Sequence, residues 1–330
     1  MSRRAIISEL EQGGWDVTAV VERRDLVVVI VTFNSQRHVE KCLRPLCGRN
    51  VLVVDNASTD STCKLIRRNF PDVRLIRMSR NLGLSRAFNI GWRQVAGCDI
   101  LFINPDVVVD RQGIDRLHAA LEGMPGAALI APQLLNTDGS VQHTARTFPT
   151  LASALARRTV LGRTRWGAKK LRVHLATATG SSPSCIAVDW TMGAAMLIRG
   201  AVLERLRGFD DRYFLYCEDV DFCARAWRRG LQTVYFPGVT FRHEYQRESR
   251  CSWAYPQAVA SDPSTSAQYH PADPQLPGPL LWASVAAVGR QPQVRVTCRA
   301  RPQSRHSVPP LPLRTGWRPE CSSYWPPSLP

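Results

Sequence analysis

Five parts of this 330-residue chain carry side chains that can hold a ligand or move a proton. They are Thr32-Phe33-Asn34-Ser35, Asp55-Asn56-Ala57-Ser58-Thr59-Asp60, Asn104-Pro105-Asp106, Glu218-Asp219 and the isolated His243. Carboxylates and amides accept hydrogen bonds or bind hard divalent cations, and a carboxylate within reach of a hydroxyl can take its proton. The same residue types also cap helices and form turns, which Asn34, Ser58, Thr59 and Asp60 can do with no ligand at all. Glu218, Asp219 and Asp221 suit a helix start in either case, because the helix dipole favours anions there.

The elements around these residues give them a common address. LVVVIVT (Leu26 to Thr32), VLVVD (Val51 to Asp55), VRLIRM (Val73 to Met78) and DILFI (Asp99 to Ile103) read as buried strands. Helices are predicted over Gln36 to Leu46, Ser61 to Phe70, Ser85 to Val95 and Gln112 to Glu122. This alternation predicts an α/β fold with helices flanking the sheet, and in such a sheet ligands bind beyond the carboxyl ends of the strands. Three of the polar stretches follow strands directly. Further along, Ala127 to Arg199 is less regular, Thr191 to Ile198 reads as a strand, Cys217 to Arg229 as a helix stopped by Gly230, and Thr233 to Phe236 as a strand.

Bulk properties narrow the function. Lys and Arg number 43 against 27 Asp and Glu, a net charge of +16 that favours anionic partners. No zinc-ligand spacing or aromatic RNA-binding strand accompanies that charge, so nucleic acid is not the expected partner. The ten cysteines form no CxxC pair, which predicts reduced thiols. Arg3 and Arg4 are followed by no apolar segment, and no run approaches the roughly 18 apolar residues that span a bilayer. A cytosolic chain with at most peripheral membrane contact is expected. After about Arg250 the chain holds some two-thirds of its 23 prolines, no Lys and no apolar period, which predicts a disordered Pro/Arg-rich tail. That mixture is also what an out-of-frame reading of a GC-rich gene produces.

Seven motifs in order resemble the family 2 nucleotide-sugar glycosyltransferases of the GT-A fold, in their bacterial rhamnosyltransferase-like branch. They are VVIVTFNS (28–35), VVDNASTD (53–60), NLGLSRAFNIG (81–91), LFINPDVVV (101–109), DWTMGAAMLIRG (189–200), GFDDRYFLYCEDVDFCARA (208–226) and RHEYQR (242–247). The match covers Leu26 to Arg247. It implies a GT-A (Rossmann-like) mixed, mostly parallel sheet with an N-terminal extension over 1–25. A nucleotide-sugar-binding half over 26–126, an acceptor-binding and catalytic half over 127–250, and the tail over 251–330 follow.

By that resemblance the donor site is Thr32, Asn34, Asp55, Asn81, Gly83, Asn89, Asn104 and Asp106, with Asp55 accepting a hydrogen bond from a pyrimidine ring N–H. Asp106 and His243 bind a divalent metal, Mn²⁺ or Mg²⁺. Asn104 stands where many relatives carry a first acidic residue, which makes His243 more necessary. Asp219 is the catalytic base of an inverting transfer, and Trp190, Gly193 and Glu218 face the acceptor. The implied partners are a dTDP- or UDP-sugar, a saccharide or polyprenyl-linked acceptor, and an anionic membrane surface met by the basic stretch Arg157 to Arg172. No QxxRW motif follows, which implies one sugar per encounter. A nucleotidyltransferase would need a Gly-rich, basic loop after the first strand, which Thr32-Phe33-Asn34-Ser35 lacks. Two other readings remain open from the sequence: a catalytically impaired relative, if the tail replaces a genuine C-terminal segment, and, less favoured, a basic nucleic-acid-binding protein.

Overall fold

The computed structural model of the chain describes residues 25–148, 184–244 and 295–296. The N-terminal extension, the basic stretch Arg157 to Arg172 and all but two residues of the tail lie outside the described residues.

Leu26–Thr32 (β1), Val51–Asp55 (β2), Arg74–Arg77 (β3) and Asp99–Ile103 (β4) run parallel in the spatial order β4-β1-β2-β3. Side chains alternate across a strand, and β1 shows it plainly: Val27, Val29 and Val31 join one core, Val28 and Ile30 the other. A strand covered on both faces must be apolar throughout, hence its unbroken Val/Ile run. Val39–Leu43 (α1, continued by a 3₁₀ turn over Arg44–Leu46), Thr62–Asn69 (α2) and, after the two-residue strand Val107–Val108 (β5), Arg111–Glu122 (α4) supply the second core. Leu84–Arg93 (α3), Gly200–Leu206 (α5) and Glu218–Trp227 (α6) supply the first. The covering helix changes face between the β1–β2 and β3–β4 connections, so the chain leaves β1 and β4 in opposite directions. Such a switch point is where an open α/β sheet places its ligand crevice.

The sheet continues through Ala127–Leu135 (β6), Cys185–Val188 (β8), Ala195–Ile198 (β10) and Gln232–His243 (β11) in the order β8-β11-β6-β10-β4. Ala145–Arg146 (β7) and Trp190–Thr191 (β9) form a separate antiparallel pair, and Arg295–Val296 (β12) lies antiparallel to β8.

Several elements differ from the sequence reading. β3 is an exposed edge, with Arg74 and Arg77 outward, and such charges discourage edge-to-edge pairing. Helix α1 begins only at Val39 because Gln36 is held in the loop: its N–H donates to Asp60 Oδ2 (3.1 Å) and its side chain accepts from Ser61 N–H (3.1 Å). The irregular region contains the nine-residue β6, whose alanines and Pro132 hid it. The strand read over Thr191 to Ile198 is broken at Met192–Ala194. Cys185 is disulfide-bonded, against the expectation of reduced thiols, while Cys42, Cys47, Cys63, Cys98, Cys217 and Cys223 are free.

Residues 208–217, which lead into α6, are clamped onto α3. Asn89 Nδ2 donates to Phe209 O (2.8 Å) and Asp211 Oδ1 (2.6 Å), while its Oδ1 accepts from Phe209 N–H (2.9 Å) and Trp92 Nε1 (3.0 Å). Gly208 sits so close that a Cβ would lie 2.2 Å from Asn89 Oδ1. Phe209 then packs edge-to-face with Phe102 and at a tilt against Phe88 and Phe222. Asn89→Ala removes four hydrogen bonds and leaves buried partners unpaired, which costs about 2–4 kcal/mol. Denaturant unfolding should show that loss; a change within about 0.5 kcal/mol, the range of ordinary surface substitutions, would refute the clamp.

Candidate active site

The carboxyl ends of β1 and β2 meet because the parallel register sets Thr32 beside Asp55. Thr32 Oγ1 donates to Asp55 Oδ1 (2.9 Å), as does Ser58 Oγ (2.5 Å), and Ser58 N–H donates to Oδ2 (3.0 Å). The Cys63 thiol bonds the same carboxyl, so the buried Asp55 is held by four donors. Asn34, exposed and at φ 49°, accepts from Thr59 N–H (2.9 Å) and joins the two loops. Alongside, Asp60, Cys63, Lys64, Arg67, Arg68 and Arg77 line an open, mostly cationic cleft of about 470 Å³.

Asn81 and Gly83 stand at the turn into α3. Asn81 Oδ1 accepts from Asn56 Nδ2 (2.6 Å) and Gly83 N–H (2.9 Å). Gly83, at φ 84°, allows close backbone approach to Phe214 of this chain, where a Cβ would meet the carbonyl oxygen at 2.6 Å. Together with Asn89 these residues support the 208–217 loop, and the Asn89 amide is fully engaged in doing so.

At the end of β4, Asn104 N–H donates to Ala194 O (2.9 Å) and Asp106 projects toward the end of β11. His243 is buried and its Nε2 lies 3.3 Å from Asp106 Oδ2. Its Nδ1 lies 2.9 Å from Gln142 Oε1. Asp106 Oδ1 is buried with no hydrogen-bond partner. Glu244, the next residue, is engaged elsewhere: Lys41 (2.9 Å) and His38 (3.3 Å) hold its carboxyl below the usual range, Lys41 the more strongly.

These residues fit a divalent cation. Two neighbouring ligands of an octahedral ion with bonds of about 2.1 Å stand about 3 Å apart, close to the observed spacing, and the orphaned carboxylate oxygen adds a hard donor. Among the described residues no group of three or more His, Cys, Asp or Glu side chains could hold a metal. A two-ligand site relies on substrate oxygens for its remaining positions, as Mg²⁺-type diphosphate sites do.

Glu218 and Asp219 open α6, preceded by Tyr216 and Cys217 at φ 69° and 70°. Left-handed backbone at two non-glycine residues costs about 1–3 kcal/mol each. The turn they make delivers both carboxyls into the interior, Glu218 5% and Asp219 8% exposed. Asp219 Oδ2 accepts from Gly193 N–H (2.9 Å) and Oδ1 from Val220 N–H (2.8 Å). Burial pushes its pKa up, opposed by those two N–H groups and the Arg146 charge. Glu218 has a buried, unpartnered Oε2, and burial plus the Asp219 charge push its pKa up to about 8. Of the two, Asp219 has the N–H donors and the cation that favour a charge, whereas the surroundings of Glu218 favour its protonated form. Asp221 is paired to Arg225 (2.7 Å). Trp190 belongs to the core, with Arg146 over its ring at 5.3 Å and its Nε1 donating to Thr147 O (2.9 Å).

The β9–β10 break joins two of these clusters. Gly193 N–H binds Asp219 while the adjacent Ala194 O binds Asn104 N–H. Sequence reading passed over Gln142 and Arg146, since both lie in the irregular region and contact the site only through tertiary pairing; the polar run after the Asp138-Gly139 turn was the available signal.

Residues 27–180 match the family described as Glycosyl transferase family 2, and residues 153–287 match Glycosyl transferase family group 2. The chain is 32% identical over 238 residues to the N-acetylglucosaminyl-diphospho-decaprenol L-rhamnosyltransferase of Mycobacterium tuberculosis, covering 66% of this chain and 75% of that protein. It is 28% identical over 152 residues to rhamnosyltransferase WbbL of Escherichia coli, covering 46% and 54%. The solved structure of GalNAc-T7 with UDP, GalNAc and Mn²⁺ shares the fold at a TM-score of 0.50 and 14% identity, over 74% of this chain and 52% of that one. The chain belongs to the family 2 glycosyltransferases. Within them it is rhamnosyltransferase-like and GT-A in fold.

The Glu218 proton has a consequence for stability. The folded state keeps it to about pH 8, whereas an unfolded chain releases it near 4.5, so wild-type stability falls as pH rises between those values. Glu218→Gln lacks this loss and should gain on wild type by about 1–3 kcal/mol from about pH 5 to about pH 8. Urea unfolding of both proteins at the two pH values checks this; parallel behaviour would mean that Glu218 is ionised in the fold.

Proposed function

We propose that this chain transfers rhamnose from dTDP-rhamnose, with inversion, to a hydroxyl of a polyprenyl-linked saccharide in cell-wall or surface polysaccharide synthesis. It adds one sugar per encounter and works peripherally at the cytoplasmic face of the membrane. Among the described residues no helix is long and apolar enough to cross a bilayer. The named activities of the M. tuberculosis and E. coli relatives favour rhamnose, and the former favours a diphospho-polyprenol acceptor.

The observation that carries the reading is the buried Asp219 carboxylate, held by two backbone N–H groups and linked through Gly193 and Ala194 to the loop bearing Asp106. Each of its oxygens keeps a lone pair after accepting its N–H bond, so Asp219 can take the acceptor hydroxyl proton. Glu218, neutral beside it, adds no second negative charge. Thr32, Asn34, Asp55, Asn81 and Gly83 form the donor side, with Asn89 supporting it through the 208–217 loop and Asp55 accepting from a pyrimidine N–H in place of one of its present donors. Gly193 and Glu218 lie on the acceptor side, with Trp190 as their packing support. Asn104 and Asp106 face the diphosphate, and Asp106 with His243 would hold Mn²⁺ or Mg²⁺. When bound, such an ion neutralises charge on the departing diphosphate.

Asp219→Asn should retain donor affinity yet lower turnover by about 10² or more, because it keeps the shape and removes the base. Near-normal turnover would exclude Asp219 as the base. Asp106→Ala should abolish the Mn²⁺ dependence of dTDP binding in calorimetry, and unchanged affinities would exclude the metal assignment. A donor panel with a lipid-linked acceptor, read as nucleoside diphosphate release, tests the choice of sugar; release from dTDP-rhamnose no faster than from other donors would refute it.

A further inference from the structure

We infer that Gln142 is a positioning residue that holds His243 in the tautomer with the proton on Nδ1 and the lone pair on Nε2, the nitrogen facing Asp106. The inference rests on the metal reading above and assigns a task to a residue outside the family motifs.

A chain of hydrogen bonds fixes the proton. Asp138, a carboxylate whose pKa is lowered chiefly by its bond from the Ser140 hydroxyl, only accepts, so Ser140 Oγ donates to it (2.6 Å). Ser140 Oγ then accepts from Asn136 Nδ2 (2.7 Å), which turns Asn136 Oδ1 toward Gln142, whose Nε2 donates to it (2.8 Å). The same Nε2 donates to the His243 carbonyl oxygen (3.1 Å), and a backbone carbonyl has no proton to give. Both neighbours thus require nitrogen at that end of the Gln142 amide, leaving Oε1 at 2.9 Å from His243 Nδ1. Oε1 can only accept, so Nδ1 carries the proton and the neutral ring has its lone pair on Nε2.

In the neutral ring that lone pair and the Asp106 carboxylate face each other at 3.3 Å, the disposition of two ligands to one shared cation. Imidazole ligands to metals are commonly oriented by a hydrogen bond at the other ring nitrogen, and loss of that bond typically weakens metal binding about 10- to 100-fold. The segment bearing Gln142 is itself anchored to the site: its N–H donates to Leu134 O (2.8 Å), Thr144 N–H to Gln142 O (2.9 Å) and Met192 N–H to Thr144 O (3.1 Å). Gln142 therefore moves with the strand end and with the residue preceding Gly193.

The test has two readouts. In metal-free wild-type protein in mildly alkaline buffer, long-range ¹⁵N–¹H correlations of His243 should show Nδ1 protonated; protonation at Nε2 overturns the inference whatever the variants do. In Mn²⁺ titrations with saturating dTDP, followed by electron paramagnetic resonance, Gln142→Leu should weaken Mn²⁺ about 10- to 100-fold. Gln142→Glu loses the two bonds donated by Nε2, as Gln142→Leu does, but keeps an acceptor for Nδ1–H, so its loss should be the smaller of the two. Wild-type affinity in Gln142→Leu, or equal loss in both variants, overturns it. If wild-type protein takes up no Mn²⁺ with dTDP, the metal reading fails by itself, and the tautomer of the metal-free ring still decides the role of Gln142.

Discussion

Burying the Asp219 carboxylate constrains much of what surrounds it. An ionised carboxyl removed from water is costly unless donors replace its hydration, and here the donors are the backbone N–H groups of Gly193 and Val220. Val220 N–H is available because α6 starts at Glu218 and its first N–H groups have no intrahelical partner. Gly193 N–H is available because β9 and β10 are interrupted at that point. The strained Tyr216–Cys217 turn and the gap in the strand are therefore two sides of one requirement, and both concern regions where local preference alone would have given regular structure.

The same interruption couples the two ends of the crevice. A shift of Met192–Ala194 moves a donor to Asp219 and an acceptor for Asn104 together, so the loop bearing Asp106 and the start of α6 cannot drift independently. The loop before α6 is fixed from the other side by Asn89 and by the close approach of Gly83 to Phe214. The strain at Tyr216 and Cys217 is thus borne by an aromatic cluster and four amide hydrogen bonds, an arrangement that over-determines the position of the carboxyl pair.

Charge is distributed unequally across that pair. Glu218 and Asp219 are neighbours in sequence and both buried, yet Asp219 has N–H donors from Gly193 and Val220, while Glu218 leaves an oxygen unpartnered. Environment, rather than residue type, divides the acid from the base. At the other end of the crevice, an amide chain running back to Asp138 orients a histidine, so a surface carboxylate contributes to the disposition of a buried ring.

The sequence by itself determined the local elements and their chemistry. Unbroken β-branched runs mark β1, β2 and β4 because a doubly covered strand must be apolar throughout, and polar residues at their ends mark the crevice. The motif order identified the family, and Asp55, Asp106 and Glu218-Asp219 stood out as carboxyls at strand and helix ends. Only the tertiary structure decided that β3 is a guarded edge, that β6 is a central strand despite its alanines and Pro132, and that Asn89 clamps a loop. It alone brought Gln142 to His243, residues 101 positions apart, and Gly193 to Asp219. These contacts depend on which strands pair and where a ladder breaks, and a glutamine or glycine carries no local mark of the partner that folding will set beside it.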